Sequence, residues 1–140
     1  MIFRVEGKPQ GKARARTFYN KRMGKMQSIT PEQTKSYEEL IRWSYRAAGG
    51  KYYGEKVLQV DINAFYQIPK AFSKVKRKAA LNGDLRPTSK PDLDNLCKVV
   101  LDALNGVAYC DDRFVVSVAV NKYYAKNLPY VEVEIKELKI

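Results

Sequence analysis

From Leu93 to Leu104, apolar side chains recur at the spacing of one helix face: Leu93, Leu96, Cys97, Val100, Leu101 and Leu104. A helix with such a face must pack it against another layer, and its opposite side then shows Asp94, Lys98 and Asp102 at intervals of four. The helix is expected from about Asp94 to Asn105, with Asn105-Gly106 as its stop. Around it the chain concentrates its acid, for five of the seven aspartates lie between Lys90 and Asp112 in a chain of formal net charge +11. Carboxylates gathered this closely repel one another, and a divalent cation is the simplest way to offset that repulsion.

Length and composition narrow the class. At 140 residues the chain fits a single domain, residues 1–140, large enough to bury a core without disulfides or structural metal. No apolar run approaches the roughly 18 residues of a membrane span. The opening Met1-Ile2-Phe3-Arg4-Val5-Glu6 reads as a strand and not a signal peptide, so no membrane association is expected and the cytoplasm is the expected location. Cys97 and Cys110 are too few and too far apart for a zinc site, and are expected as reduced, core-facing thiols. Histidine is absent. Catalysis would therefore rest on carboxylates, lysines, tyrosines or hydroxyls, and any metal would be a hard, oxygen-binding one.

A first strand, around Ile2 to Val5, runs into a basic loop or hairpin with Lys12, Arg14, Arg16, Lys21, Arg22 and Lys25, and with Phe18 and Tyr19 between them. Alternation would set Lys12, Arg14 and Arg16 on one side of an extended segment, suited to phosphates, with Phe18 or Tyr19 able to stack on an exposed base; a solvated loop is the other reading. Thr30, Pro31 and Gln33 mark a helix start with Thr30 as N-cap. Tyr37, Leu40, Ile41, Tyr45 and Ala48 give that helix a buried stripe up to Gly49-Gly50, leaving Trp43 outside it as a partner-surface or half-buried rim residue.

Val57 to Ile68 alternates as a strand and Pro69 stops it. The next segment, Lys70 to Gly83, has Phe72, Val75 and Ala79 at helical spacing and an opposite face that is almost entirely cationic. Lys74, Lys76 and Arg77 of that face, with Lys90, are expected to meet DNA, a solvated charged face being the alternative. Phe114 to Asn121 and Val131 to Ile135 alternate as two strands, and their short connection Ala125-Lys126-Asn127-Leu128-Pro129 fits an antiparallel hairpin. The order β-α-β-α-α-β-β implies an α+β sandwich: one mixed, mostly antiparallel sheet with helices on one face. With a net charge of +11 and a pI near 9.6, its leading partner is a polyanion, nucleic acid above all.

Asp92 and Asp94 stand one residue apart at the helix start. An N-cap role accounts for one of them, and Asp111-Asp112 alone would be an ordinary turn. Joined to Asp-x-Asp-Asn-x-x-Lys, however, they supply three carboxylates, Asp92, Asp94 and Asp112, with the Lys98 ammonium one helical turn further on. Such a set can hold Mg²⁺, which keeps several waters and takes few protein carboxylates. Lys98 would then stabilise charge on the phosphorane or leaving oxygen, or orient the attacking water.

Lys90-Pro91-Asp92-Leu93-Asp94-Asn95-Leu96-Cys97-Lys98, Leu101-Asp102-Ala103-Leu104-Asn105-Gly106 and Tyr109-Cys110-Asp111-Asp112 resemble the signature of the RusA family of Holliday junction resolvases in residue type and spacing. The resemblance implies a homodimeric endonuclease, dependent on Mg²⁺ with Mn²⁺ as a substitute, that cuts four-way DNA junctions by paired nicks during recombination and repair. It places the essential, metal-binding carboxylates on Asp92, Asp94 and Asp112 and the essential lysine on Lys98, with Asp102 and Asp111 in support. The basic stretch from Lys70 to Lys90 resembles the longer branch of the family and leaves substrate preference open. Two other readings use part of the same features. A nucleic-acid-binding module without catalysis would need only the basic loops, and a metal-dependent nuclease could instead cut flaps or single strands.

Overall fold

The computed structural model describes residues 1–14, 16–29 and 31–139. Its elements are β1 (Ile2–Glu6), β2 (Arg16–Asn20), β3 (Lys25–Ile29), α1 (Glu32–Ala47), β4 (Leu58–Tyr66), α2 (Lys74–Asn82), α3 (Leu93–Ala103), a 3-10 turn (Asp112–Phe114), β5 (Val115–Tyr124) and β6 (Tyr130–Glu137). The chain is α+β. A four-stranded sheet runs β1-β6-β4-β5, mixed and mostly antiparallel, and β2 and β3 form a separate two-stranded ribbon.

β4 is the sheet's inner strand, and its sequence shows why. Leu58, Val60, Ile62 and Ala64 are buried while the residues between them are half-buried, the pattern of a strand paired on both edges and fully covered on one face. On one edge it pairs antiparallel with β6, Ile62 opposite Val133; on the other it pairs parallel with β5, Ile62 opposite Val120. This corrects the hairpin expected between the last two strands. After β5 the chain crosses the end of β4, where the Ala125 N–H donates to the Tyr66 carbonyl at 2.8 Å, and β6 enters between β4 and β1. A short connection fits either arrangement. The deciding factor is β4, whose apolar face takes a strand on each side.

α1 and α3 pack on each other and on the buried face of the sheet, and both are rotated from the stripes read off their spacing. α1 buries Thr34, Tyr37, Glu38, Ile41, Ser44 and Tyr45. Leu40 and Ala48 consequently stand outside, and Trp43 is 68% exposed, well beyond a rim position. α3 buries Leu96, Val99, Val100 and Ala103, so that Leu93 is exposed and Cys97 and Leu101 are half-buried. Neither cysteine faces the core as expected, for Cys110 is exposed in the turn before Asp111. Pro31 occupies the N-cap position of α1; Thr30, expected there, lies outside the described residues.

α2 begins at Ser73, whose Oγ accepts from the Lys76 N–H at 3.2 Å, and ends at Gly83 with φ of 83°, a left-handed conformation that suits glycine. It buries only Ala80, and Val75 is 81% exposed, so Phe72, Val75 and Ala79 are not a core stripe. Phe72 precedes the helix and packs edge-on against Tyr124. Among the described residues no helix is long and apolar enough to cross a membrane.

Candidate active site

The entry to α3 is held from two sides. Tyr66 Oη donates to the Pro91 carbonyl at 2.8 Å, and the Lys12 N–H donates to the Asn95 carbonyl at 3.0 Å. The second contact needs a glycine beside it, because a Cβ on Gly11 would lie 2.8 Å from both Pro91 Cβ and Asn95 Cβ. Gly11→Ala should therefore force the segment off α3, costing about 1–3 kcal/mol by overpacking. A thermal melt checks the loss of stability.

This docking creates a cleft of about 790 Å³ lined by Lys12, Ala13, Arg14, Asp92, Asp94, Asn95 and Lys98. Asp92 stands at the N-cap position, yet its side chain makes no capping hydrogen bond. The N-cap role that would account for it is thus unfilled. Asp92, Asp94 and Lys98 form no ion pair among the described residues, so Lys98 is not spent on an Asp94 or Asp102 partner along the helix. A second cleft, about 470 Å³, shares Lys12 and Asp92 and adds Lys8 and Lys90.

Asp112 lines neither cleft and opens the 3-10 turn that follows α3. Asp111 caps the 3-10 turn by accepting from the Arg113 N–H at 3.0 Å, which, with a hydrogen bond from Asp112, holds Asp111 below the ordinary carboxylate range. Burial and the neighbouring Asp111 push Asp112 up. The Cys97 thiol is raised by burial and then by the carboxylates of Asp102, Asp112 and Asp94. Cys97 is half-buried because it stands amid these acids and not in the core. Tyr109, whose Oη donates to the Leu101 carbonyl at 2.6 Å, lies behind them, and its hydroxyl is raised by burial and then by Asp112 and Asp102.

Lys12 differs most from its expected place on an outer phosphate track. Its ammonium bridges Glu38 at 3.2 Å and Asp102 at 3.4 Å and is largely buried. It ties α1 to α3 behind the cleft. Glu38 is the residue the sequence reading missed, and its signal was a carboxylate set beside Tyr37 on the buried side of a helix, where a charge needs a partner. Arg14 lines the cleft with the aspartates. The Arg16 side chain lies outside the described residues. Lys74, Lys76 and Arg77 are exposed on α2 and line neither cleft that holds an aspartate.

The acids that could donate to a metal are carboxylates, as a hard cation prefers: Asp92 and Asp94 in one cleft, without an ion pair among the described residues, and Asp112 outside it. Among the described residues, no three Asp, Glu, Cys or His groups converge closely enough to hold a metal ion as they stand. That is compatible with Mg²⁺, whose shell is completed largely by water and substrate phosphate.

The chain matches the family Endodeoxyribonuclease RusA over residues 6–136, a span from β1 to β6 that includes every residue of the cleft. It is also 34% identical to the Uncharacterized protein YqaN of Bacillus subtilis (strain 168), over 97% of this chain and 95% of that one. With both matches running through the aspartate-bearing helix and the sheet that supports it, the chain belongs to the RusA family of endodeoxyribonucleases.

Proposed function

We propose that this chain is a Mg²⁺-dependent crossover junction endodeoxyribonuclease, with Mn²⁺ as a substitute, that resolves four-way DNA junctions by paired nicks during recombination and repair. The observation that carries this reading is the cleft in which Asp92 and Asp94, without an ion pair among the described residues, open beside Lys98 and Arg14 on a chain of net charge +11. Asp92, Asp94 and Asp112 would hold the metal. When bound, it supplies Lewis-acid polarisation of the scissile phosphate and a more acidic water.

The chain's own residues do the rest. Lys98 and Arg14 meet the charge that builds on the phosphoryl oxygens, where a fixed ammonium or guanidinium acts most strongly in the transition state. Lys12, neutralised by Glu38 and Asp102, fixes the cleft wall. Lys90 and the α2 cations Lys74, Lys76 and Arg77 extend the positive surface along a DNA arm. Two copies related by a two-fold axis fit a junction that needs one nick in each of two like strands.

Cleavage of four-way, flap and linear DNA in parallel tests the assignment, and a supercoiled cruciform plasmid tests the pairing of nicks. The expected results are preference for the four-way substrate and linear plasmid product. Preference for flaps or single strands, or binding without cleavage, would overturn the reading. Lys98→Ala should lower single-turnover cleavage roughly a hundredfold with little change in junction affinity, and arginine need not restore it, being planar and bulkier. Unaltered cleavage in that variant would remove Lys98 from the chemistry.

A further inference from the structure

The ribbon β2–β3 is the part of the molecule that its own core does not use. Its strands pair antiparallel from Arg16 opposite Ile29 to Asn20 opposite Lys25, and they pack chiefly on each other. Apolar side chains stand out on both faces: Phe18 and Ile29 on one, Tyr19 and Met26 on the other, with Met23 at the tip. Tyr19 and Met26 are 58% and 62% exposed. A two-stranded ribbon is marginal alone, and beyond their pairing across it these side chains add nothing to the buried core.

The side-chain amides of the ribbon are already engaged. Asn20 Oδ1 accepts from the Arg22 and Met23 N–H groups, its amide donates to Gln27 Oε1 at 2.9 Å, and Gln27 Nε2 points back to Met23 Sδ. These bonds brace the tip and use up the amides that could read base edges in a groove. What remains outward is aromatic or thioether surface flanked by the cations Lys21, Arg22 and Lys25. That combination suits the faces of bases beside phosphates, because stacking is indifferent to sequence and the cations track the backbone. Duplex arms hide base faces within the stack. A branch point exposes them. The ribbon is also rooted at the cleft, since Lys12 and Arg14 precede it directly and line the same space as Asp92 and Asp94.

We infer that the ribbon from Arg16 to Ile29 is a base-contacting wedge, which binds the unstacked bases of a DNA branch point through Tyr19, Met26, Phe18 and Met23 and so sets the branch beside the cleft. This rests on the junction reading above and names the element that recognises the branch.

The test uses the full chain in EDTA with a four-way junction carrying 2-aminopurine at the branch point, and a linear duplex of the same sequence. Wild-type protein should prefer the junction and raise the probe's fluorescence. Tyr19→Ser with Met26→Ser should lose about tenfold in junction affinity and the fluorescence rise, at unchanged duplex affinity and melting temperature. Tyr19→Leu, which keeps bulk and removes the ring, repeats the measurement in a chain with its ribbon packing intact. Lys21→Gln with Arg22→Gln should weaken junction and duplex alike. If the serine and leucine variants keep both the junction preference and the fluorescence rise, the wedge is overturned while the junction reading stands. If the wild-type chain shows no junction preference, both fall. A wild-type chain that prefers the junction through the ribbon yet does not cut it with Mg²⁺ overturns only the nuclease assignment.

Discussion

Asp94→Asn is expected to lower four-way junction cleavage by at least about a hundredfold while leaving junction binding unchanged or slightly tighter. The carboxylate lines the cleft with Asp92 and Lys98 and has no ion pair among the described residues. On the proposed metal role, removing its charge would weaken the hold on a divalent cation and also lessen repulsion of the incoming phosphate. Asp112→Asn should act in the same way on cleavage and differently on stability. Burial and Asp111 raise the Asp112 carboxyl in the fold. A carboxyl raised on folding contributes stability below its unfolded value and loses it as pH climbs through the folded one. At neutral pH without metal its ionised form thus works against the fold, and the asparagine variant should melt no lower than wild type. Single-turnover cleavage at saturating Mg²⁺, metal-free gel shifts and thermal melts check the three statements. A near-wild-type rate in either variant would remove that residue from the metal set.

Metal-free junction binding should fall about a thousandfold between 50 and 200 mM salt if six or more phosphates are neutralised. The cations for this stand on α2, at Lys90, in Arg14 and on the ribbon. Lys12 is not among them, since its ammonium is held by Glu38 and Asp102. Replacing Lys74, Lys76, Arg77 and Lys90 with glutamine should flatten the log–log salt slope by roughly 0.9 for each phosphate that is no longer neutralised. Titrations by fluorescence anisotropy at several salt concentrations measure the slope. An unchanged slope would show that α2 faces away from the DNA.

Much of this molecule was legible in one dimension. The period-two runs located β4, β5 and β6, the helical spacing located α3, and two of the five clustered aspartates, Asp92 and Asp94, line the cleft. What escaped was whatever depends on pairing between distant segments. Strand neighbours were misread because a connection's length limits a topology without choosing it, and the choice rested on how many edges β4 must satisfy. Helix faces were misread by one step because Glu38 is buried by a lysine 26 positions away, and Cys97 is half-buried near Asp94 and Asp102 of its own helix and Asp112 of the following turn. Lys12 looked like one more cation in a basic run. Only the docking of Gly11 on Pro91 and Asn95 brings it inside.

The sheet also dictates when this nuclease can exist during its own synthesis. β1 pairs with β6 alone, Phe3 opposite Val133, and β4 takes the same late strand on its other side. A nascent chain on the ribosome therefore carries its first strand unpaired until Tyr130 to Glu134 emerge, and such non-local pairings close slowly. Gly11 and Lys12 follow β1 directly, so their grip on α3 waits for the same event. The cleft is assembled last, and a truncated translation product that lacks β6 would hold the aspartates without the wall that positions them.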